Sequence, residues 1–242
     1  MPTISLLMPA ALLLCQTTLP AGFIETFDDH AADRWRAVSG RWTFAPGAAR
    51  QSDGAFDCLA VAAEAAASPE GAFYFAVRFK PDSSFNGGGL VFALPQPDRK
   101  DGGMLVRCDP GGRILWGRFD AWGEFEYAGD VRIADPGTAE QELAVAVDPD
   151  HLAFNVYHNG VRVATNVATN VAAGFVGLQS SGGPHTFVRC ELRTAKVAEL
   201  DGIHPGGNHS RILDLVGNSR RLVALRAGPK FLVTYDEDGV EI

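Results

Sequence analysis

The chain lacks most of the signals that announce an enzyme or a nucleic-acid binder. No Cys-x-x-Cys pair occurs among its 4 cysteines, so a cysteine-rich zinc site has no support. No Gly-x-Ser-x-Gly elbow is present, which removes the usual esterase signal. Cations are few: 21 Lys and Arg stand against 29 Asp and Glu, a formal net charge of −8, so no basic face exists to neutralise phosphates. No run approaches the roughly 20 apolar residues that a membrane-spanning helix needs. No long amphipathic helical stretch is present either.

What is there is a globular composition rich in turn formers. Of 242 residues, 46% are hydrophobic, 10% aromatic and 21% charged, and 27 are glycine. That glycine content exceeds the usual share of about 7% and implies many tight turns. Short alternating or apolar runs fill the chain from Phe23 to Arg193, separated by Gly, Pro, Asp and Asn clusters. The pattern predicts thirteen strands: Phe23–Phe27, Arg41–Phe44, Phe56–Ala62, Ala72–Lys80, Gly89–Ala93, Gly103–Cys108, Ile114–Phe119, Phe125–Tyr127, Glu142–Val147, His151–His158, Val161–Ala164, Phe175–Gln179 and Thr186–Arg193. Asn159-Gly160 is a hairpin signal. The expectation is an all-β, antiparallel two-sheet sandwich or jelly roll. Phe73, Phe75, Val77 and Phe79 share one face of their strand and are assigned to its core.

Residues 1–21 carry no charged side chain and contain the run Leu6 to Leu14, with Pro20-Ala21-Gly22 as a cleavage region. They are read as a signal peptide, which makes the protein secreted or extracytoplasmic, without a membrane span. Leu14 before Cys15 is not the small residue that a lipoprotein signal requires. Residues 22–194 form the sandwich, and 195–242 a linker with a C-terminal hairpin, Leu222–Arg226 and Phe231–Tyr235. Cys58, Cys108 and Cys190 all fall in strand-like runs and are expected to be buried free thiols. His204 and His209, around Pro205 to Asn208, imply no third metal ligand and read as a loop, and Asn208-His209-Ser210 has the form of a glycosylation sequon.

The stretch Ile114 to Tyr127 is the richest in chemistry. Strand alternation puts Leu115, Phe119, Phe125 and Tyr127 toward the core and Trp116, Arg118, Asp120, Glu124 and Glu126 on the opposite face. An indole stacks on the apolar face of a sugar ring while Arg and carboxylates hydrogen-bond its hydroxyls. The stretch is therefore a candidate glycan groove centred on Trp116 and Trp122; the alternative is a solvated hairpin with one Trp partly buried. Glu124 and Glu126, two apart, are the weak candidates for a glycosidase pair.

Phe27-Asp28-Asp29, Trp35, Ser39-Gly40-Arg41-Trp42 and then Gly47, Arg50 and Gln51 resemble the opening of concanavalin A-like and laminin-G-like secreted domains. Gly87-Gly88-Gly89-Leu90-Val91-Phe92, His158-Asn159-Gly160 and Gly174-Phe175-Val176-Gly177-Leu178 fit the same template. The resemblance implies a concanavalin A-like jelly roll shared by lectins, glycoside hydrolases, adhesins and keto-disaccharide hydrolase-like proteins. The Glu-x-Asp-x-x-Glu string of its laminarin-type hydrolases does not occur. In many relatives an Asp after the last strand's Phe binds calcium together with acidic residues of the first; here Val188 follows Phe187, so the resemblance gives Asp28 and Asp29 only as doubtful calcium candidates, and no cofactor is expected. The function expected is a non-catalytic module for carbohydrate or a cell-surface glycan, with a disaccharide hydrolase and an adhesive protein-interaction module as alternatives.

Overall fold

The computed structural model describes residues 22–63, 71–82, 87–169 and 173–204, and the backbone of 211–212, 222–226 and 231–235. The signal-peptide assignment at 1–21 and His209 with its sequon lie outside the described residues. In chain order the elements begin with β1 (Gly22–Glu25), a helical turn α1 (Ala31–Arg34), β2 (Trp35–Ala37), β3 (Trp42–Ala45), β4 (Ala48–Gln51) and β5 (Cys58–Ala62). They continue with β6 (Phe73–Pro81), β7 (Gly88–Leu94), β8 (Met104–Asp109), β9 (Arg113–Phe119), β10 (Phe125–Arg132) and β11 (Gln141–Asp148). After these come β12 (Ala153–His158), β13 (Val161–Ala168), β14 (Phe175–Ser180), β15 (His185–Thr194), β16 (Arg211–Ile212), β17 (Leu222–Arg226) and β18 (Phe231–Tyr235).

Two antiparallel sheets face each other. One runs β13-β12-β11-β6-β15-β4-β3, with β1 also pairing β15; the other runs β10-β9-β8-β7-β14-β5-β2. Between them lies the main core, in which Phe73, Phe75, Val77 and Phe79 of β6, with Val145, Phe154 and Phe187, meet Leu90, Phe92, Val106, Ile114 and Leu178 of the second sheet. The aromatic row of β6 is thus where its alternation placed it. β16, β17 and β18 form a separate three-stranded sheet, in which Leu222–Arg226 pairs antiparallel with Phe231–Tyr235.

Three departures from the sequence reading have physical causes. β4 is an additional strand because Arg50 and Gln51 alternate as polar residues, Arg50 outward and Gln51 inward to a buried partner, Ser180. β10 runs on to Arg132, five residues beyond Tyr127, because a register shift between Tyr127 and Gly129 interrupts the alternation without ending the pairing. Residues 195–204 do not read as a free linker in the fold: Ala195 and Leu200 cover Tyr74, Ala76, Ala144, Ala146 and Tyr157 on the outside of the first sheet. Tyr157 donates to the Glu199 carbonyl, and Asn155 to the carbonyls of Glu199 and Asp201. Cys58, Cys108 and Cys190 are free and buried, as expected, and burial pushes the Cys58 thiol up to about 11 and that of Cys108 up to about 12.

The start of the chain is tied down by one carboxylate. Glu25, buried at the end of β1, accepts hydrogen bonds from the Phe27 N–H at 2.7 Å, the Trp35 indole at 3.1 Å and the Arg34 guanidinium at 3.0 Å. Burial opposes its ionisation, but the bonds from Arg34, Trp35 and Phe27 outweigh that and hold its carboxyl below the ordinary value of 4.5. A folded-state value below the unfolded one makes this contribution complete above about pH 4.5, and it fades as pH falls through the folded value. Glu25→Gln should therefore lower the melting temperature at pH 7 but lose less than the wild type on going from pH 5 toward pH 3, measured by thermal melts. Parallel curves for the two proteins would refute the assignment.

Candidate functional site

β9 and β10 form the hairpin that the sequence singled out, and the alternation within it is the one expected. Its sidedness is inverted. Leu115, Phe119 and Phe125 pack with Leu59, Val61, Val91, Leu94 and Leu105 in a second apolar cluster, on the outer face of the second sheet. Trp116, with the opposite parity, turns toward the space between the sheets and packs half-buried against the main core. There it lines a cleft of about 330 Å³ at the open edge of the sandwich, with Asp130 and Val131 on one side and Val163 and Val167 on the other. Tyr127, expected in the core, is exposed and donates to Asp130.

The other predicted residues do not converge on Trp116. Arg118 and Glu126 are register partners and form an exposed ion pair. Asp120 builds the hairpin turn: its Oδ1 accepts the N–H of Trp122 and of Glu124, both at 2.8 Å. Trp122 stands 87% exposed in that turn, outside the cleft lined by Trp116, so the two indoles do not share one groove. Glu124 is exposed beside it. The turn nevertheless has a role, because it delivers Phe125 over Gly117 on the outer face.

That outer face carries a polar cluster that sequence reasoning missed. Gly89 of β7 is the register partner of Arg107 on β8 and of Gln179 on β14. A side chain at Gly89 would collide with the Val106 carbonyl, and one at Gly87 would meet Asp109 and the Cys108 carbonyl. With nothing standing on the middle strand, the arms of Arg107 and Gln179 meet across it, over two interstrand spacings, about 10 Å. Arg107 donates from Nε to Asp109 at 2.8 Å, and from Nη1 to Asp57 and to the Ser181 hydroxyl, each at 3.3 Å. Gln179 donates from Nε2 to the same Asp57 oxygen at 3.3 Å. Its Oε1 is buried without a hydrogen-bond partner among the described residues. Turning the amide over would set Oε1 against a carboxylate, so this orientation is the chemically consistent one.

The Phe125 ring borders the cluster. The Arg107 guanidinium lies 5.8 Å from the centre of the Phe125 ring, and Phe56, next to Asp57, is 68% exposed. Asp57 holds a left-handed backbone, φ 50°, a conformation that Asp tolerates better than most residues and that recurs at functional sites. The legible signal was Gly87-Gly88-Gly89 inside a strand, where glycine marks the close approach of another group.

The calcium candidates are engaged otherwise or isolated. Asp28 accepts from Arg34 at 2.8 Å and from the His30 N–H, and Arg34 and that N–H hold its carboxyl below the usual range. Asp29 is exposed, and among the described residues no group of three or more metal-ligating side chains assembles. His204 contacts Asn166.

The two tryptophans give opposite expectations in denaturant unfolding. Trp116→Ala should cost stability near the low end of the about 3 to 5 kcal/mol typical of buried aromatics, whereas Trp122→Ala should stay within about 0.5 kcal/mol of wild type. Equal effects would contradict the placement of Trp116 on the core.

No known family model and no curated protein sequence matches the chain. Solved structures do resemble it. A carbohydrate binding module, CBM66 from Bacillus subtilis, aligns at a TM-score of 0.54 with 15% identity, covering 64% of this chain and 91% of that one. Winged bean acidic lectin, solved with methyl-α-D-galactose, aligns at 0.54 with 11% identity over 71% of this chain and 96% of its own. The Crh5 transglycosylase aligns at 0.50 with 13% identity over 74% and 86%. At such identities the likeness speaks for architecture alone, and with the two-sheet order above it makes this fold a concanavalin A-like jelly roll.

Proposed function

We propose that this chain is an exported, non-catalytic module that binds carbohydrate or a surface glycoconjugate, and that it does so on the outer face of the second sheet. The observation that carries the reading is the cluster of Asp57, Arg107, Asp109, Gln179 and Ser181, set in an otherwise apolar face beside Phe56 and Phe125. Sugars ask for this combination: planar donors and carboxylate acceptors for the hydroxyls, and an aromatic ring for the apolar face. That a carbohydrate binding module and a galactoside-bound lectin share the architecture supports it. The turn of Asp120, Trp122 and Glu124 flanks the face through Phe125, and the Arg118–Glu126 pair belongs to the rim of the same hairpin.

Export rests on the uncharged apolar leader of residues 1–21. Among the described residues no helix is long and apolar enough to cross a membrane. A hydrolase built on Glu124 and Glu126 draws no support from geometry, since Glu126 is paired with Arg118 and neither lines the cleft at Trp116.

The test is binding of the exported protein to an immobilised glycan panel, in calcium and again in chelator. Arg107→Ala should weaken binding at least about tenfold, as expected when a charged hydrogen-bond donor is removed. Phe56→Ala, at an exposed position, should weaken it without altering the melting temperature. Absence of saturable binding across the panel, or binding untouched by both substitutions, would overturn the reading.

A further inference from the structure

The cluster around Arg107 has too many acceptors for its donors. Arg107 is its central cation, with Nε and Nη1 already directed at Asp109, Asp57 and Ser181 and its plane against Phe125. The ammonium of Lys100 sits over the Phe119 ring of the same outer cluster. Facing these are Asp57 and Asp109, each with one carboxylate oxygen that takes no hydrogen bond among the described residues, and the buried Oε1 of Gln179, which likewise takes none.

The spacing within the cluster is uneven. The Arg107–Asp109 contact is tight at 2.8 Å, but the contacts of Arg107 with Asp57 and Ser181 and of Gln179 with Asp57 are all 3.3 Å, and the Asp57 N–H lies 3.4 Å from the Ser181 hydroxyl. These exceed the usual distance of about 2.9 Å. Every loose contact involves Asp57 or Arg107 Nη1. A hydroxyl placed among them has a donor to accept from, Arg107 Nη1, and partly exposed acceptors to donate to, the open oxygens of Asp57 and Asp109. A carboxylate placed there has no proton to give and meets two fixed carboxylates in a partly buried setting, where like charges repel strongly.

We infer that this surface selects sugars that present hydrogen-bond donors, hydroxyl or amino groups, and rejects those bearing carboxylate or sulfate. The inference rests on the carbohydrate-binding reading above and names the ligand class for the same site. An amino sugar gains twice, by filling acceptors and by supplying positive charge between two carboxylates, Asp57 and Asp109. Buried polar groups left unpaired are what give such a site its discrimination, because the wrong ligand leaves them unsatisfied.

The experiment uses a panel in which glucose, galactose and mannose each appear in neutral, 2-amino and 6-carboxylate forms as immobilised oligosaccharides. Binding is measured at low and at physiological salt. The expected result is saturable binding to at least one neutral or amino series, with the matching 6-carboxylate form bound at least tenfold more weakly, and with the gap narrowing in Asp57→Asn and in Asp109→Asn. These near-isosteric changes remove a negative charge and replace one acceptor oxygen by an amide donor, and unchanged melting temperatures would confirm the fold. Tighter binding to the carboxylate form in the wild type, or a neutral-to-acidic ratio untouched by both substitutions, would overturn the selectivity while leaving the carbohydrate-binding reading intact. No binding to any arm would overturn both.

Discussion

The second sheet is apolar on both faces, and the rest of the molecule follows from that constraint. Its inner face meets the first sheet in the main core, and its outer face carries Leu59, Val61, Val91, Leu94, Leu105, Leu115 and Phe119 in a second buried cluster. Strands covered on both sides have no solvated face on which polar residues can sit without cost; β5 and β7 are buried along their whole length. A charged or amide side chain on this sheet must therefore be compensated within the protein or be completed by something that binds. Arg107 and Gln179 are those exceptions, and their compensation is incomplete, because Gln179 Oε1 has no partner among the described residues.

The hairpin chemistry and the cluster are one mechanical chain. Asp120 fixes the turn by accepting two backbone N–H groups, and Gly123 holds the left-handed conformation, φ 75°, that the turn requires. The turn sets where β10 begins, and β10 begins with Phe125. Its ring lies over Gly117, where a side chain would collide with it, and supports the Arg107 guanidinium from one side. Asp120 thus positions Phe125 against Arg107, two strands away in the sheet, at the edge of the proposed site.

Much of the architecture was legible in the residues, and the limit is instructive. Period-two alternation identified most of the strands, though not β2, β4 or β16, along with the core row of β6 and the two C-terminal strands, because alternation and turn residues are local signals. Alternation cannot tell which face of a doubly buried sheet looks at the partner sheet. Leu115 and Phe119 are as buried as Ile114, so the hydrophobic parity of β9 was ambiguous, and Trp116 was assigned to the ligand side when it belongs to the core edge. The Arg107 cluster was invisible for a different reason. Asp57, Arg107, Asp109, Gln179 and Ser181 come from three distant stretches, joined only by the β8-β7-β14-β5 register, and no local spacing encodes that.

The dimensions of the face favour a small polar ligand over a protein. The cluster draws on four adjacent strands, β8, β7, β14 and β5, about 14 Å across, the scale of a few sugar rings. Its atoms are mostly covered: the side chains of Arg107, Asp57 and Asp109 are 16%, 18% and 18% exposed. A flat protein surface could reach so little of it only by projecting a side chain into it, whereas a sugar edge carries its own row of hydroxyls at hydrogen-bonding height. Partial exposure also explains why the charges remain useful. Deeper burial would lock the carboxylates onto Arg107, and full exposure would let water satisfy them, so only the intermediate setting leaves acceptors that gain by meeting a ligand.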